Sequence, residues 1–178
     1  MAPGLRVADI GTGTGILACE LARLGLDVVG VDQSATMLEA ARAKIESETF
    51  ARGGRVELKR GEAERIPLEE NEVDAALAHM VLHYLPSPSD AIREMARIVK
   101  PGGHLVIVEF VSHALDWMEQ ELGVVWRGFA RETVEQWLAA AGLVEINVEE
   151  SESLGRERDL PSTLIASARV PTESGESD

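Results

Sequence analysis

The run Val7-Ala-Asp-Ile-Gly-Thr-Gly-Thr-Gly15 sets an aspartate, Asp9, just ahead of three glycines spaced at every second position. A short apolar strand that enters a glycine turn and then a helix lets a ligand approach the backbone N–H groups of the helix N-terminus. Dinucleotide sites put a pyrophosphate there, in a G-x-G-x-x-G spacing. Gly11, Gly13 and Gly15 are spaced differently, and Ile16 stands where a further small residue is expected. A carboxylate at Asp9 repels a diphosphate and attracts an ammonium group. The loop therefore points to S-adenosylmethionine (SAM), which carries an amino-acid tail and a sulfonium charge, rather than to NAD.

Two further acidic positions extend the reading. Asp32 follows the second apolar strand, where a carboxylate accepts both ribose hydroxyls in nucleotide folds; it could also simply cap the helix that follows. Glu62 lies past the third strand, where it can accept a hydrogen bond from an adenine amine, with the Ala63 N–H free for a ring nitrogen. The alternative is solvated loop charge at Glu62 and Glu64. His79 leaves the fourth strand on the same edge and either lines the ligand or stays solvated. His83, a few residues on, is either an acceptor-site base or a partly buried structural histidine. Tyr84 is a weaker candidate of the same kind, and His104 and His113 look structural. No set of histidine and carboxylate has convincing metal-ligand spacing.

The elements that must position these groups alternate strand and helix. Strands are expected at 5–10, 27–31, 55–58, 73–78, 104–110, 143–149 and 163–169. Helices are expected at 16–24, 35–48, about 90–99, 115–122 and 131–141, with a further helical stretch at 80–85. Gly25 and Gly142 end helices, Ser34 opens one, and Pro101-Gly102-Gly103 makes a tight turn. Such alternation implies a doubly wound parallel sheet, and the last two strands, with no helix between them, imply one antiparallel strand at the far edge. Residues 1–170 form one domain, and 171–178 form a polar, disordered tail.

Composition narrows the function classes. The 178 residues carry a net charge of −14 and no basic cluster, which excludes a phosphate-backbone interface on this chain. No apolar run approaches the roughly 20 residues of a membrane span, and no signal peptide is visible, so a cytoplasmic, membrane-free protein is expected. The single cysteine, Cys19, excludes an internal disulfide framework and reads as a small buried hydrophobe. Among the aromatic residues, Trp137 reads as core, and Trp126 and Phe129 as the better candidates for an acceptor wall.

Together D-I-G-T-G-T-G, the acid at Asp32, G-E-A-E-R-I-P-L, D-A-A-L-A-H-M-V-L-H-Y-L and the K-P-G-G-H-L turn resemble a class I SAM-dependent methyltransferase. The stretch from Asp116 to Phe129 is similar to methyltransferase halves fused behind ArsR-type winged-helix regulators. The resemblance implies a Rossmann-like sheet of seven strands in the order 3-2-1-4-5-7-6, with strand 7 antiparallel. It places Asp9, Gly11, Thr12, Gly13, Gly15 and His79 around the methionine part of SAM. Asp32, Gln33 and Met37 fall at the ribose side, and Gly61, Glu62 and Ala63 at adenine. The activity implied is methyl transfer to a small-molecule acceptor, with His83 as base. The alternative is a non-catalytic module sensing SAM or S-adenosylhomocysteine within a larger regulator. Such enzymes carry N-terminal helices over the donor, and here the first strand starts at Leu5. A winged-helix domain, a partner or another segment is therefore expected to cover the site.

Overall fold

The computed structural model describes residues 4–151 and 161–172. Residues 173–178 of the expected tail lie outside the described residues. The first half holds β1 (Arg6–Ile10), α1 (Ile16–Arg23), β2 (Asp27–Asp32), α2 (Ala35–Glu46), β3 (Arg55–Arg60) and β4 (Val73–His79). The second holds α3 (Pro88–Ile98), β5 (Val99–Phe110), α4 (Asp116–Leu122), α5 (Arg131–Ala140), β6 (Val144–Ser151) and β7 (Thr163–Arg169). Every expected strand and long helix is present, with ends moved by a few residues.

The strands form one sheet in the order β3-β2-β1-β4-β5-β7-β6. Neighbours from β3 to β5 pair in parallel, and β7 runs antiparallel to both β5 and β6. The strand order implied by the resemblance is the one observed, and the reading from strand pattern alone takes one correction. Strand pattern alone put the antiparallel strand at the far edge, and β7 instead lies inside the sheet, with β6 outermost. The reason is apolar content. Leu164, Ala166 and Ala168 of β7 are buried, whereas β6 exposes Glu145, Glu149 and Glu150 and buries only Val148. A charged strand suits an edge, where unpaired backbone groups otherwise invite aggregation.

Both faces of the central strands are covered, because side chains alternate across a sheet. Val7, Val28 and Ala75 are in register and face α1, packing on Ala18, Leu21 and Ala22. Ala8, Val29 and Ala76 point to the opposite face, into a larger core with Ile92, Met95 and Ile98 of α3 and Leu138 of α5. Pro88 opens α3 in its first turn, where its missing N–H leaves no helical bond unmade.

Two other expectations change. Residues 80–85 form a single tight helical turn, Leu82–Tyr84, and not a helix. Met80 has φ of 54°, outside the right-handed helical region, so helix cannot propagate out of β4. The Pro101-Gly102-Gly103 turn is absorbed into β5 as an irregularity, since β4 pairs Val73 with Val99 but Ala75 with His104. The carboxyl ends of β1, β2, β4 and β5 consequently meet on one edge, where open sheets of this class take their ligands.

Candidate functional site

The glycine loop is fixed from three sides. The Gly11 and Thr12 amides donate to the Val31 carbonyl of β2 at 2.8 and 3.0 Å, and the Gly13 amide donates to Asp32 Oδ2 at 2.9 Å. Gly11 has φ of 72°, and a Cβ there would stand 2.3 Å from Val81 Cγ2. Only glycine meets both conditions. Gly15 caps α1 in the left-handed region and, having no side chain, leaves the first amides of that helix without a side-chain cap.

Asp9 is almost fully buried, with Oδ2 accepting the Thr12 hydroxyl at 2.7 Å. Burial pushes its pKa up to about 6, offset in part by the Thr12 bond and by His79, while Asp32 adds to the rise. Its charge is thus less fixed than its sequence position implies. Asp32 is already spoken for by backbone: Oδ2 takes Gly13 N–H and Oδ1 takes Ser34 N–H at 2.8 Å. These bonds aim the carboxylate and leave each oxygen a lone pair for a ligand.

Two hollows flank Gly11. One, of about 310 Å³, is bounded by Gly11, Gly13, Asp32, Gln33, Met37, Gly61 and Ala63, with Val31, Met80, Val81, Tyr84 and Leu85 as its apolar wall. The other, of about 320 Å³, is bounded by Asp9, Gly11, Thr12, Thr14, Ile16, Leu17, Glu20 and His79. The expected donor residues therefore divide into two groups on either side of one loop, which matches a ligand with a flat apolar end and a charged end.

Three expected residues fall elsewhere. Glu62 is exposed and lines an adjoining open depression of about 690 Å³ with Arg60, Arg65 and Pro67, sharing only Gln33 and Gly61 with the first hollow. Gly15 borders neither hollow and instead packs against Ala41 of α2. His83 borders neither hollow either: it is 2% exposed, with Nδ1 bonded to Glu109 Oε2 at 2.6 Å.

The aromatic residues also resolve. Phe129 is buried and packs against Trp137, so it belongs to the core and not to an acceptor wall. Its amide donates to the Phe110 carbonyl, which draws the loop after α4 onto the end of β5. Trp126 remains 39% exposed, and its indole N–H donates to the Leu85 carbonyl beside the first hollow. His104 is exposed in the middle of β5, against the expectation that it is structural. Cys19 is buried, as expected of a small hydrophobe.

Sequence reasoning missed Met80, Val81 and Leu85, Thr14 and Glu20 in the second hollow, and Glu109. A left-handed methionine has no local sequence signal. Glu109 had one, as the single acid in the apolar run Leu105-Val-Ile-Val-Glu-Phe110.

A family model described as a methyltransferase domain matches residues 8–107, more than half of the chain. The chain belongs to the class I SAM-dependent methyltransferases. Within that family it is 41% identical over 121 residues to an uncharacterised methyltransferase of Mycobacterium tuberculosis (strain ATCC 25618 / H37Rv), covering 67% of this chain and 46% of the relative. It is 32% identical over 112 residues to the ubiquinone/menaquinone biosynthesis C-methyltransferase of Geotalea daltonii, covering 61% of this chain and 47% of that one. The chain thus spans under half the length of these curated relatives. A SAM-dependent methyltransferase of Methanosarcina mazei superposes with a TM-score of 0.84 at 22% identity, covering 97% of this chain and 95% of that one. At that identity the likeness is one of methyltransferase fold.

SAM, the donor of this family, fits the residues present. Asp9 is a buried carboxylate with no lysine or arginine acting on it among the described residues, so a ligand ammonium supplies what they omit. Met37, Val31, Ala63 and Leu85 offer apolar surface for an adenine beside the Asp32 carboxylate. Among the described residues no helix is long and apolar enough to cross a membrane.

Proposed function

We propose that this chain carries the donor site of a methyltransferase acting on a small-molecule acceptor in the cytoplasm. SAM supplies an electrophilic methyl group and leaves as S-adenosylhomocysteine. Asp9 holds the ammonium of its amino-acid tail, the amides at the start of α1 meet its carboxylate, and Asp32 takes the ribose hydroxyls. Ala63, Met37 and Leu85 enclose the adenine, and Glu62 reaches its amine from the adjoining depression. His79 borders the methionine end, and Tyr84 stands on the rim where an acceptor enters.

The observation that carries this reading is the pair of hollows on either side of Gly11, one holding Asp9 and the other Asp32. One ligand with separate cationic and nucleoside ends satisfies both. A covering element is also proposed, because Ile16, Met37 and Tyr84 stand exposed around the hollows. An acceptor or a covering segment would bury them and exclude water from the reacting atoms. Quinol-type acceptors are the first to try, given the Geotalea relative. The sensing-module alternative and the winged-helix attachment draw support from neither the site nor the comparisons.

Calorimetric titration with SAM, S-adenosylhomocysteine and NAD tests the reading. Saturable binding of the first two, absent for NAD and lost in Asp32→Ala, is expected. Binding of NAD in their place would overturn it. Tight binding of both methionine derivatives without turnover of any acceptor would favour the sensor.

A further inference from the structure

We propose that the open depression beside the nucleoside hollow is a separate anion site, in which Arg60 and Arg65 hold the phosphate group of a small phosphate ester. The proposal goes beyond the methyl-transfer reading and does not depend on it.

The depression, of about 690 Å³, sets Arg60 and Arg65 around Gln33, Glu62, Ile66 and Pro67. The backbone explains why the two arginines meet there. Arg60 is the last residue of β3, in register with Asp32 at the end of β2. The Gly61 amide then donates to the Asp32 carbonyl at 3.1 Å, and the chain folds back so closely that a Cβ on Gly61 would stand 2.4 Å from Pro67 Cδ. Glycine permits that approach. Within the turn Arg65 bridges back to Glu62, its amide donating to the Glu62 carbonyl at 3.2 Å. Two side chains on different limbs of the turn therefore border one hollow.

Their charge is unspent. The chain has 31 acidic residues against 17 lysines and arginines, and arginines elsewhere hold carboxylates, as Arg55 holds Asp27 and Arg97 holds Glu94. Among the described residues Arg60 and Arg65 form no ion pair. Arg60 Nε donates to the Gln33 carbonyl at 3.1 Å, which anchors the guanidinium and leaves both Nη groups without a partner. Glu94 feels the charge of Arg65, but its oxygens are already taken by Arg97 and the Ile66 amide. Glu62 is the one acid of the lining, so positive charge prevails in the depression.

Solvation alone accounts for two exposed arginines. It does not account for their meeting on one concave surface while acids stand in excess, nor for Arg60 anchored through Nε with its fork open. Such a fork matches the oxygens of a phosphate two at a time. Two cations suit one phosphate group and not a polymer backbone, in keeping with the net charge of −14. Ile66 and Pro67 add apolar surface for the body of the ester. The depression shares Gln33 and Gly61 with the nucleoside hollow, so the bound ester abuts the donor without taking its place.

The test is calorimetric titration of the full chain with phenyl phosphate at constant ionic strength. Saturable binding is expected, weakened roughly 10- to 100-fold in Arg60→Gln and in Arg65→Gln, with urea midpoints unchanged because both side chains are exposed. Arg52→Gln removes the same charge from the exposed turn before β3, at the other end of that strand, and is expected to bind as the unaltered chain does. No saturable binding, or an equal loss in Arg52→Gln, overturns the site. Malonate, a dianion without phosphorus, is expected to bind about 10-fold more weakly or worse; equal binding overturns the phosphate assignment. Inorganic phosphate is expected to bind through the same arginines but less tightly than the ester, and the reverse order overturns the ester. Saturating S-adenosylhomocysteine is expected to leave phenyl phosphate bound. Displacement would put the probe in the donor's own hollows and overturn a separate site. Failure of S-adenosylhomocysteine to bind overturns the methyl-transfer reading alone, and the arginine variants still decide the anion site.

Discussion

The carboxylate of Asp32 accepts the amide hydrogen of Gly13 at 2.9 Å, tying the end of β2 to the middle of the glycine loop. The second carboxylate oxygen takes the Ser34 amide, at the entrance to α2. One side chain therefore sets the distance between the loop that meets the charged end of the donor and the strand that meets its nucleoside. The two hollows on either side of Gly11 keep their spacing because of it.

Asp32→Ala removes both tethers and the ribose acceptor at once. Hydrogen bonds to a charged group are worth about 1.5–3 kcal/mol each, so SAM affinity is expected to fall by roughly 10- to 100-fold or more. Asp32→Asn keeps an acceptor oxygen and is expected to lose less. Calorimetry on the two variants checks the order, and equal affinity for Asp32→Ala and the unaltered chain would remove Asp32 from the site.

Asp9 gives the site a pH dependence whose sign follows from burial. The folded chain holds the Asp9 proton up to about pH 6, whereas the unfolded chain releases it near the ordinary value of 3.8. Folded protein therefore binds more protons between these values, and the stability Asp9 allows is full below about pH 4 and falls as pH rises to 6. Asp9→Asn removes that loss. It is expected to be more stable than the unaltered chain above pH 6, by about 3 kcal/mol for a shift of roughly two units, and no more stable below pH 4. Urea unfolding across this range measures the difference. Donor binding is expected to move the opposite way, weakening in the unaltered chain as pH falls below 6 and lost in Asp9→Asn.

Much of the fold was legible because its signals are local. Val7-Ala-Asp-Ile10, Asp27-Val-Val-Gly-Val31 and Val73-Asp-Ala-Ala-Leu-Ala78 are buried on both faces and read as apolar runs. The glycines of the loop read as a turn because φ of 72° at Gly11 and 74° at Gly15 demands them. What was hidden depends on partners far away in the chain. Nothing near Glu109 says that its carboxylate meets His83, and nothing near Met80 says that the chain turns left-handed there. The interior place of β7 emerges only when its buried face is compared with the acidic β6. Phe129 looked like a pocket residue because it lies in a glycine-containing loop near the fifth strand, and the hydrogen bond from its amide to the Phe110 carbonyl draws it into the core instead.

Gly11→Ala is expected to damage the fold as well as the site. The new Cβ would lie 2.3 Å from Val81, a β-branched side chain on the tight turn after β4, and φ of 72° is unfavourable for alanine. Left-handed backbone costs roughly 1–2 kcal/mol and overpacking a further 1–3 or so. Gly13→Ala is the comparison: φ is 54°, but the nearest atom to its Cβ is the Gly11 carbonyl oxygen at 4.0 Å, so only the backbone term applies. Urea midpoints should place Gly11→Ala well below Gly13→Ala; equal midpoints would mean that Val81 moves aside freely.

Cys19 offers a check on the wall behind the loop. It is buried on α1, and burial foremost raises its thiol pKa, so the thiolate needed for alkylation is scarce in the folded chain. Iodoacetamide is expected to leave the native protein unmodified and to label it readily in urea. Cys19→Ala deletes one buried sulfur and is expected to cost about 1 kcal/mol, with SAM affinity unchanged, since Cys19 borders neither hollow. Rapid labelling of the folded chain, slowed by SAM, would instead mean that α1 opens to admit the donor.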